Sequence, residues 1–181
     1  YGALGSDTGG SVRLPAAMCG VVGLKPTWGR ISRHGILPLA ESLDHVGPMT
    51  RSTLDARLVF QAIAGHDARD PTSLREPWDD PLRLAADKIH DGMDPGVNGI
   101  HLGLDETYVS KDVEPEVASS VLSAVSVLEE SGAKVTKVEL PDLRGYLEAV
   151  LTICQAEAVV AHKANYPSAR EGYGPWFRDW L

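Results

Sequence analysis

The residues whose types and spacing carry the most chemistry are Gly5-Ser6-Asp7-Thr8-Gly9-Gly10-Ser11-Val12-Arg13-Leu14-Pro15. Two adjacent glycines ahead of a serine let the backbone turn tightly, keep the approach to the serine clear and leave several N–H groups free to converge on one point. Convergent N–H donors are what an oxyanion hole requires. They stand preset where negative charge develops on a tetrahedral intermediate, and one such donor is typically worth a factor of about 10² to 10³. Ser11 ends the turn and is placed to attack a carbonyl carbon.

A serine hydroxyl is a weak nucleophile at neutral pH, so a base must take its proton, and the usual partner is a histidine oriented by a carboxylate. The six histidines, His34, His45, His66, His90, His101 and His162, are scattered singly, and His45 beside Asp44 is the one pair worth weighing. No Gly-x-Ser-x-Gly elbow occurs. Asp7-Thr8-Gly9 matches the Asp-Thr-Gly of aspartic proteases, but that chemistry shares a proton between two such carboxylates and no second copy follows. A phosphate cradle would need Gly-x-x-x-x-Gly-Lys-Ser/Thr or Gly-x-Gly-x-x-Gly, and neither is present. Taken alone, the loop leaves a purely structural Gly-rich turn open beside the catalytic reading.

The elements that must position this loop belong to a chain of 181 residues that is 43% hydrophobic, enough apolar material for a globular core. A formal net charge of −8 gives phosphate-backbone binding to nucleic acid little electrostatic support. The two cysteines, Cys19 and Cys154, sit in apolar sequence and read as buried free thiols, which suits a reducing, cytoplasmic compartment better than a disulfide scaffold or a zinc site. No apolar run approaches the roughly 20 residues that span a bilayer. The motif lies within a few residues of Tyr1 and the last residues read as a helix just begun, so the chain is expected to be an internal piece.

Residues 1–50, rich in Gly, Ser, Thr and Pro, predict turns and short strands around a site. Ser52 is expected to cap a helix over 53–64, with Asp55 three residues on, Leu54, Leu58 and Ala62 at helical spacing and Gly65 as its end. Residues 66–98, with Pro71, Pro77, Pro81 and Pro95 among many aspartates, predict a surface excursion with one short helix near 82–90. Ile100, Leu102 and Leu104 alternate as a strand. Asp112 is expected to open a helix whose Val117, Val121, Val125 and Leu128 share a face, before a strand at Val135-Thr136-Lys137-Val138. A further helix follows Pro141, with Leu147, Leu151, Cys154, Ala158 and Ala161 on one face, and a last one starts after Gly174-Pro175. Strands alternating with helices predict an α/β fold.

The Ser11 loop runs on into Pro15-Ala16-Ala17, Cys19-Gly20-Val21-Val22-Gly23-Leu24-Lys25-Pro26-Thr27 and Gly29-Arg30-Ile31-Ser32. In this continuity, and in Ser42-Leu43-Asp44-His45-Val46-Gly47-Pro48-Met49 and Ala64-Gly65-His66-Asp67, the chain resembles the amidase signature family. The resemblance is specific over residues 2–73, looser over 99–141 and in outline only over 142–181. It implies a layered α/β/α fold with a mixed, twisted sheet, of which 1–181 would form part of a single domain. It also implies hydrolysis of a carboxamide through an acyl-serine, with no metal or organic cofactor, by a Ser–cis-Ser–Lys triad. Ser11 would be the nucleophile and the N–H groups of Thr8, Gly9, Gly10 and Ser11 the oxyanion hole. Asp7 and Arg13 would brace the loop from either side. The cis-serine and the lysine would lie before Tyr1, so these 181 residues alone are expected to have little activity. Lys25 belongs to Gly23-Leu24-Lys25-Pro26-Thr27, which the family uses structurally, and is not expected to replace the base. The partners implied are a small-molecule amide and, as a candidate assembly, a homodimer, with neither nucleic acid nor membrane. The A subunit of the tRNA-dependent amidotransferase, acting on the glutamine amide, is the alternative, ranked second because Gln155-Ala156-Glu157-Ala158-Val159-Val160-Ala161-His162 and Tyr166-Pro167-Ser168 look more like a stand-alone amidase. A non-catalytic scaffold is the remaining alternative.

Overall fold

A computed structural model describes residues 1–78 and 96–181, and the chain falls into two compact units, one built from residues 1–78 and 145–181, the other from 96–144. The short helix read near 82–90 lies outside the described residues.

The first unit is organised by a three-stranded antiparallel sheet. Strand β3 (His45–Thr50) lies between β1 (Gly2–Asp7) and β2 (Val22–Gly23). The register pairs Gly2 with Thr50 and ends with Asp7 opposite His45, so the first residue of the catalytic candidate loop leaves the sheet at a fixed point. The centre strand accepts close backbone approach through Gly47. A Cβ there would lie 2.1 Å from the Leu24 carbonyl oxygen, a contact no side chain tolerates. Between β1 and β2 runs a short helix not expected from the sequence, α1 (Arg13–Met18), seated by the buried side chains of Val12 and Ala16.

Helix α2 (Thr53–Ile63) begins as its sequence predicts, with the Ser52 hydroxyl accepting the Asp55 N–H at 3.1 Å. Its buried face is not the expected one. Leu54 and Leu58 are exposed, whereas Ala56 and Phe60 are buried, because the residues available to pack against are Ile31 and Val46, with Leu24, Ile63, Ala64 and Trp78 around them. Trp78 meets the edge of the Phe60 ring at 4.8 Å between centroids. Residues 66–74 are tied down rather than loose. The Leu74 N–H donates to the Gly29 carbonyl at 2.8 Å, the Arg33 N–H to Asp70 Oδ2 at 2.7 Å, and Asp70 and Ser73 are buried.

In the second unit, β4 (His101–Leu104) and β5 (Lys134–Lys137) pair in parallel, His101 opposite Lys134, and the crossover carries α3 (Glu106–Ser110) and α4 (Pro115–Glu130). This is the strand–helix–strand unit read from the sequence, with two corrections. Asp112 does not open the helix but sits in a left-handed turn at φ +58°, and the helix starts at Pro115, whose missing N–H costs nothing at that position. The buried residue on α4 is Ala118, while Val117, Val121 and Leu128 are exposed. Helix α5 (Arg144–His162) buries Cys154, Ala158 and His162 but leaves Leu147 and Leu151 exposed. Helix α6 (Pro175–Trp180) starts where Gly174-Pro175 predicts. Antiparallel and parallel pairings thus both occur, in an α/β fold.

The burial of one face of α2 and the exposure of the other have a measurable signature. Phe60→Ala is expected to lower unfolding free energy by about 3–5 kcal/mol and Leu58→Ala by less than about 1 kcal/mol in urea titrations, since only the first leaves a cavity.

Candidate active site

The Ser11 loop is built on one buried carboxylate. Asp7 is fully inaccessible at the end of β1 and accepts hydrogen bonds from the backbone N–H groups of Gly10 (2.8 Å), Val12 (3.2 Å) and Arg13 (3.3 Å). The Arg13 guanidinium completes the set, Nε donating to Oδ2 at 3.0 Å and Nη2 to Oδ1 at 2.9 Å. Burial alone would push the Asp7 pKa up. The Arg13 side chain, followed by the three N–H groups, outweighs burial and lowers it to about 2, while the same contact raises the pKa of Arg13.

Gripping Gly10, Val12 and Arg13 from below bends the chain into a turn at Gly10, where φ is +130° and an added Cβ would stand 2.8 Å from Leu14 Cδ1. Only glycine fits there. Above Gly9, by contrast, a Cβ would meet nothing within 4 Å, so the outer side of the loop is open. Ser11 is exposed at the exit of the turn. Of the four N–H groups expected to converge, that of Gly10 is occupied by Asp7. Those of Thr8, Gly9 and Ser11 have no acceptor among the described residues.

A second carboxylate holds the other end of the loop. Asp44, 5% exposed, accepts the Thr8 hydroxyl on Oδ1 and the N–H groups of Leu39 (2.8 Å) and Ala40 (3.1 Å) on Oδ2. Sequence reasoning weighed Asp44 only as a partner for His45. The structure separates the two, for His45 Nδ1 bonds the Leu43 carbonyl at 2.7 Å. Lys25 Nζ donates to the Pro26 carbonyl at 3.0 Å, a structural contact. Asp44 and His45, with Ser6, Arg33, Arg69 and Asp70, line a cavity of about 200 Å³ that Ser11 does not reach.

Cys19 proves exposed, contrary to expectation, because it lies just past the end of the short α1. Cys154 is buried, and burial, followed by the charges of Asp44 and Glu157, pushes its thiol pKa up. Among the described residues no group of three or more His, Cys, Asp or Glu is gathered as metal ligands would be, and no helix is long and apolar enough to cross a membrane.

Comparison with known proteins accounts for nearly the whole chain. The family model described as Amidase matches residues 1–176. The A subunit of the glutamyl-tRNA(Gln) amidotransferase of Halothermothrix orenii is 45% identical over 95% of this chain and 34% of its own length. The crystal structure of the corresponding A subunit from Thermotoga maritima superposes with a TM-score of 0.77 at 36% identity, over 94% of this chain and 35% of that one. Native peptide amidase from Stenotrophomonas maltophilia gives 0.75 at 36% identity, over 93% of this chain and 34% of that one. The chain spans about a third of the length of the curated relatives it matches.

The Asp7 environment sets a pH dependence whose sign follows from its lowered pKa. An ionised Asp7 stabilises the fold at any pH above the ordinary carboxylate value of 3.8, and that contribution, about 2 kcal/mol, is lost as pH falls from there through about 2. With Arg13→Met the largest lowering contact is gone. Carbonyl-detected NMR of the Asp7 carboxyl is expected to show its titration midpoint move upward from about 2.

Proposed function

The chain belongs to the amidase signature family, and from that premise we propose that it carries the nucleophile and the oxyanion loop of an enzyme that hydrolyses a carboxamide C–N bond. The observation that carries the reading is the loop itself. Ser11 is exposed beside the N–H groups of Gly9 and Ser11, which have no acceptor among the described residues, on a turn that wraps around the buried Asp7 carboxylate.

Ser11 Oγ attacks the amide carbon as a base removes its proton, and the carbonyl oxygen becomes an oxyanion facing the N–H groups of Thr8, Gly9 and Ser11. These donors are fixed before the charge appears, so no reorganisation is needed when it does. Gly10 contributes the bend that only its φ permits, its own N–H serving Asp7. Collapse of the intermediate breaks the C–N bond, the leaving ammonia or amine takes the proton from the base, and water then hydrolyses the acyl-serine. The base in this proposal is the lysine of the family triad, acting through a cis-serine, with neither supplied by these 181 residues. Asp7 and Arg13 are loop supports, and the cytoplasm is the setting proposed for the enzyme.

A second reading has specific support. Curated relatives that align with almost the whole chain at 42–46% identity are A subunits of glutamyl-tRNA(Gln) amidotransferases, so the same Ser11 chemistry would act within a multi-subunit amidotransferase. The two readings share the acyl-serine and differ in which amide is opened and in whether a further protein is needed. Ammonia release measured on glutamine and on a panel of peptide and aryl amides, with the full-length protein alone and with the proteins that co-purify with it, separates them.

In the full-length protein Ser11→Ala is expected to lower amide hydrolysis by at least about 10³-fold. A fluorophosphonate should form one adduct, mapped by peptide mass to Ser11. A well-folded protein that neither takes the label nor hydrolyses any amide overturns the enzyme reading in favour of a scaffold, whereas activity retained in Ser11→Ala overturns Ser11 as the nucleophile.

A further inference from the structure

We infer that Asp44 is a positioning residue for the proposed reaction. Its carboxylate, acting through the Thr8 hydroxyl, fixes the direction in which the N–H groups of Thr8 and Gly9 point. The inference rests on the Ser11 reading and goes beyond it to a residue far along the chain.

The geometry is specific. The β1–β3 ladder ends with Asp7 opposite His45, so Thr8 and Asp44 are the next residues on the two strands and face one another just beyond the last pair. The Thr8 hydroxyl donates to Asp44 Oδ1 there. The other oxygen, Oδ2, is saturated by the Leu39 and Ala40 N–H groups, and the Asp44 N–H returns to the Ala40 carbonyl at 2.8 Å. The carboxylate therefore cannot rotate without breaking bonds on both sides. Threonine is β-branched and stiff about χ1, so a fixed hydroxyl fixes the residue's backbone as well.

What this holds is the part of the loop Asp7 does not reach. The bonds to Asp7 come from Gly10, Val12 and Arg13, downstream of Gly9. Gly9 has no side chain, and a Cβ placed there would touch nothing within 4 Å, so no side-chain contact holds that residue. The Asp44–Thr8 bond supplies the upstream anchor. Asp44 is itself anchored from α5. Glu157 accepts the Ser42 N–H at 2.8 Å and the Ser42 hydroxyl at 2.6 Å, which fixes the turn that presents Asp44.

The test uses the full-length protein with rates expressed per active serine, titrated by fluorophosphonate burst. Thr8→Val, which keeps shape and removes the hydroxyl, is expected to lower kcat by about 10- to 100-fold, short of the loss for removing a whole oxyanion donor. KM should stay within about twofold and the melting temperature within a few degrees, and Thr8→Ser should recover most of kcat. In a double-mutant cycle, Thr8→Val should cost little more once Asp44→Ala is present. A merely structural role would lower melting temperature and titratable sites but leave kcat per site unchanged. Thr8→Val with kcat within twofold of the parent, in a protein that Ser11→Ala still inactivates, overturns the Asp44 inference alone. Activity surviving Ser11→Ala overturns the Ser11 reading instead.

Discussion

A carboxylate taken out of water must find donors or take up a proton, and Asp7 finds donors on every side. Three of them are backbone N–H groups of the residues that follow it, so the side chain acts as a template on which Gly10, Val12 and Arg13 wrap. The wrap forces positive φ at Gly10 and sends the chain straight into α1, and the buried Val12 just before the helix and Ala16 within it press against the sheet. Nearly everything about where Ser11 stands follows from that one desolvated charge.

The sheet makes the template useful. An antiparallel register is an all-or-none choice, because a slip of one residue would turn every side chain of β1 to the other face. With Gly2 fixed opposite Thr50, Asp7 arrives at the ladder's end pointing inward, and Thr8 arrives opposite Asp44. Gly47, in the middle of the central strand, lets the chain at Leu24 lie directly on the sheet, closing the space under the loop with backbone. Two buried carboxylates thus hold the two ends of a short glycine-rich segment, while the N–H groups between them stay free.

How much of this could be read from sequence depended on the range of the interaction. The loop, the Ser52 cap and the strand–helix–strand unit are legible, since glycine pairs, a hydroxyl three residues before an aspartate and β-branched runs act locally, whereas the parallel pairing of its strands comes from the structure. Helix faces were legible only in part. Leu54 and Leu58 look like a core stripe, but burial fell to Ala56 and Phe60 because packing is decided by which face meets Ile31 and Val46. The short helix over 13–18 was hidden by Pro15 and by the lack of a capping side chain. In sequence Asp44 stands out only as the neighbour of His45. Its true partner, Thr8, is 36 residues away, and nothing in the local composition announces a bond across that span.

The ion pair between Asp7 and Arg13 invites the conclusion that a salt bridge holds the loop, and the exposures argue otherwise. Arg13 keeps half of its side chain in water, where the charge attraction is screened and worth little by itself. Removing Arg13 would still leave Asp7 with three N–H donors. Removing Asp7 would strand three backbone donors, at least one of them on the buried Gly10, together with a guanidinium aimed into the protein. An unmade buried hydrogen bond costs more than a made one contributes, so the two partners are unequal. Arginine tunes the ionisation of the site, whereas the aspartate defines the backbone path, and it is the path that leaves the N–H groups of Gly9 and Ser11 without an acceptor among the described residues, next to an exposed Ser11.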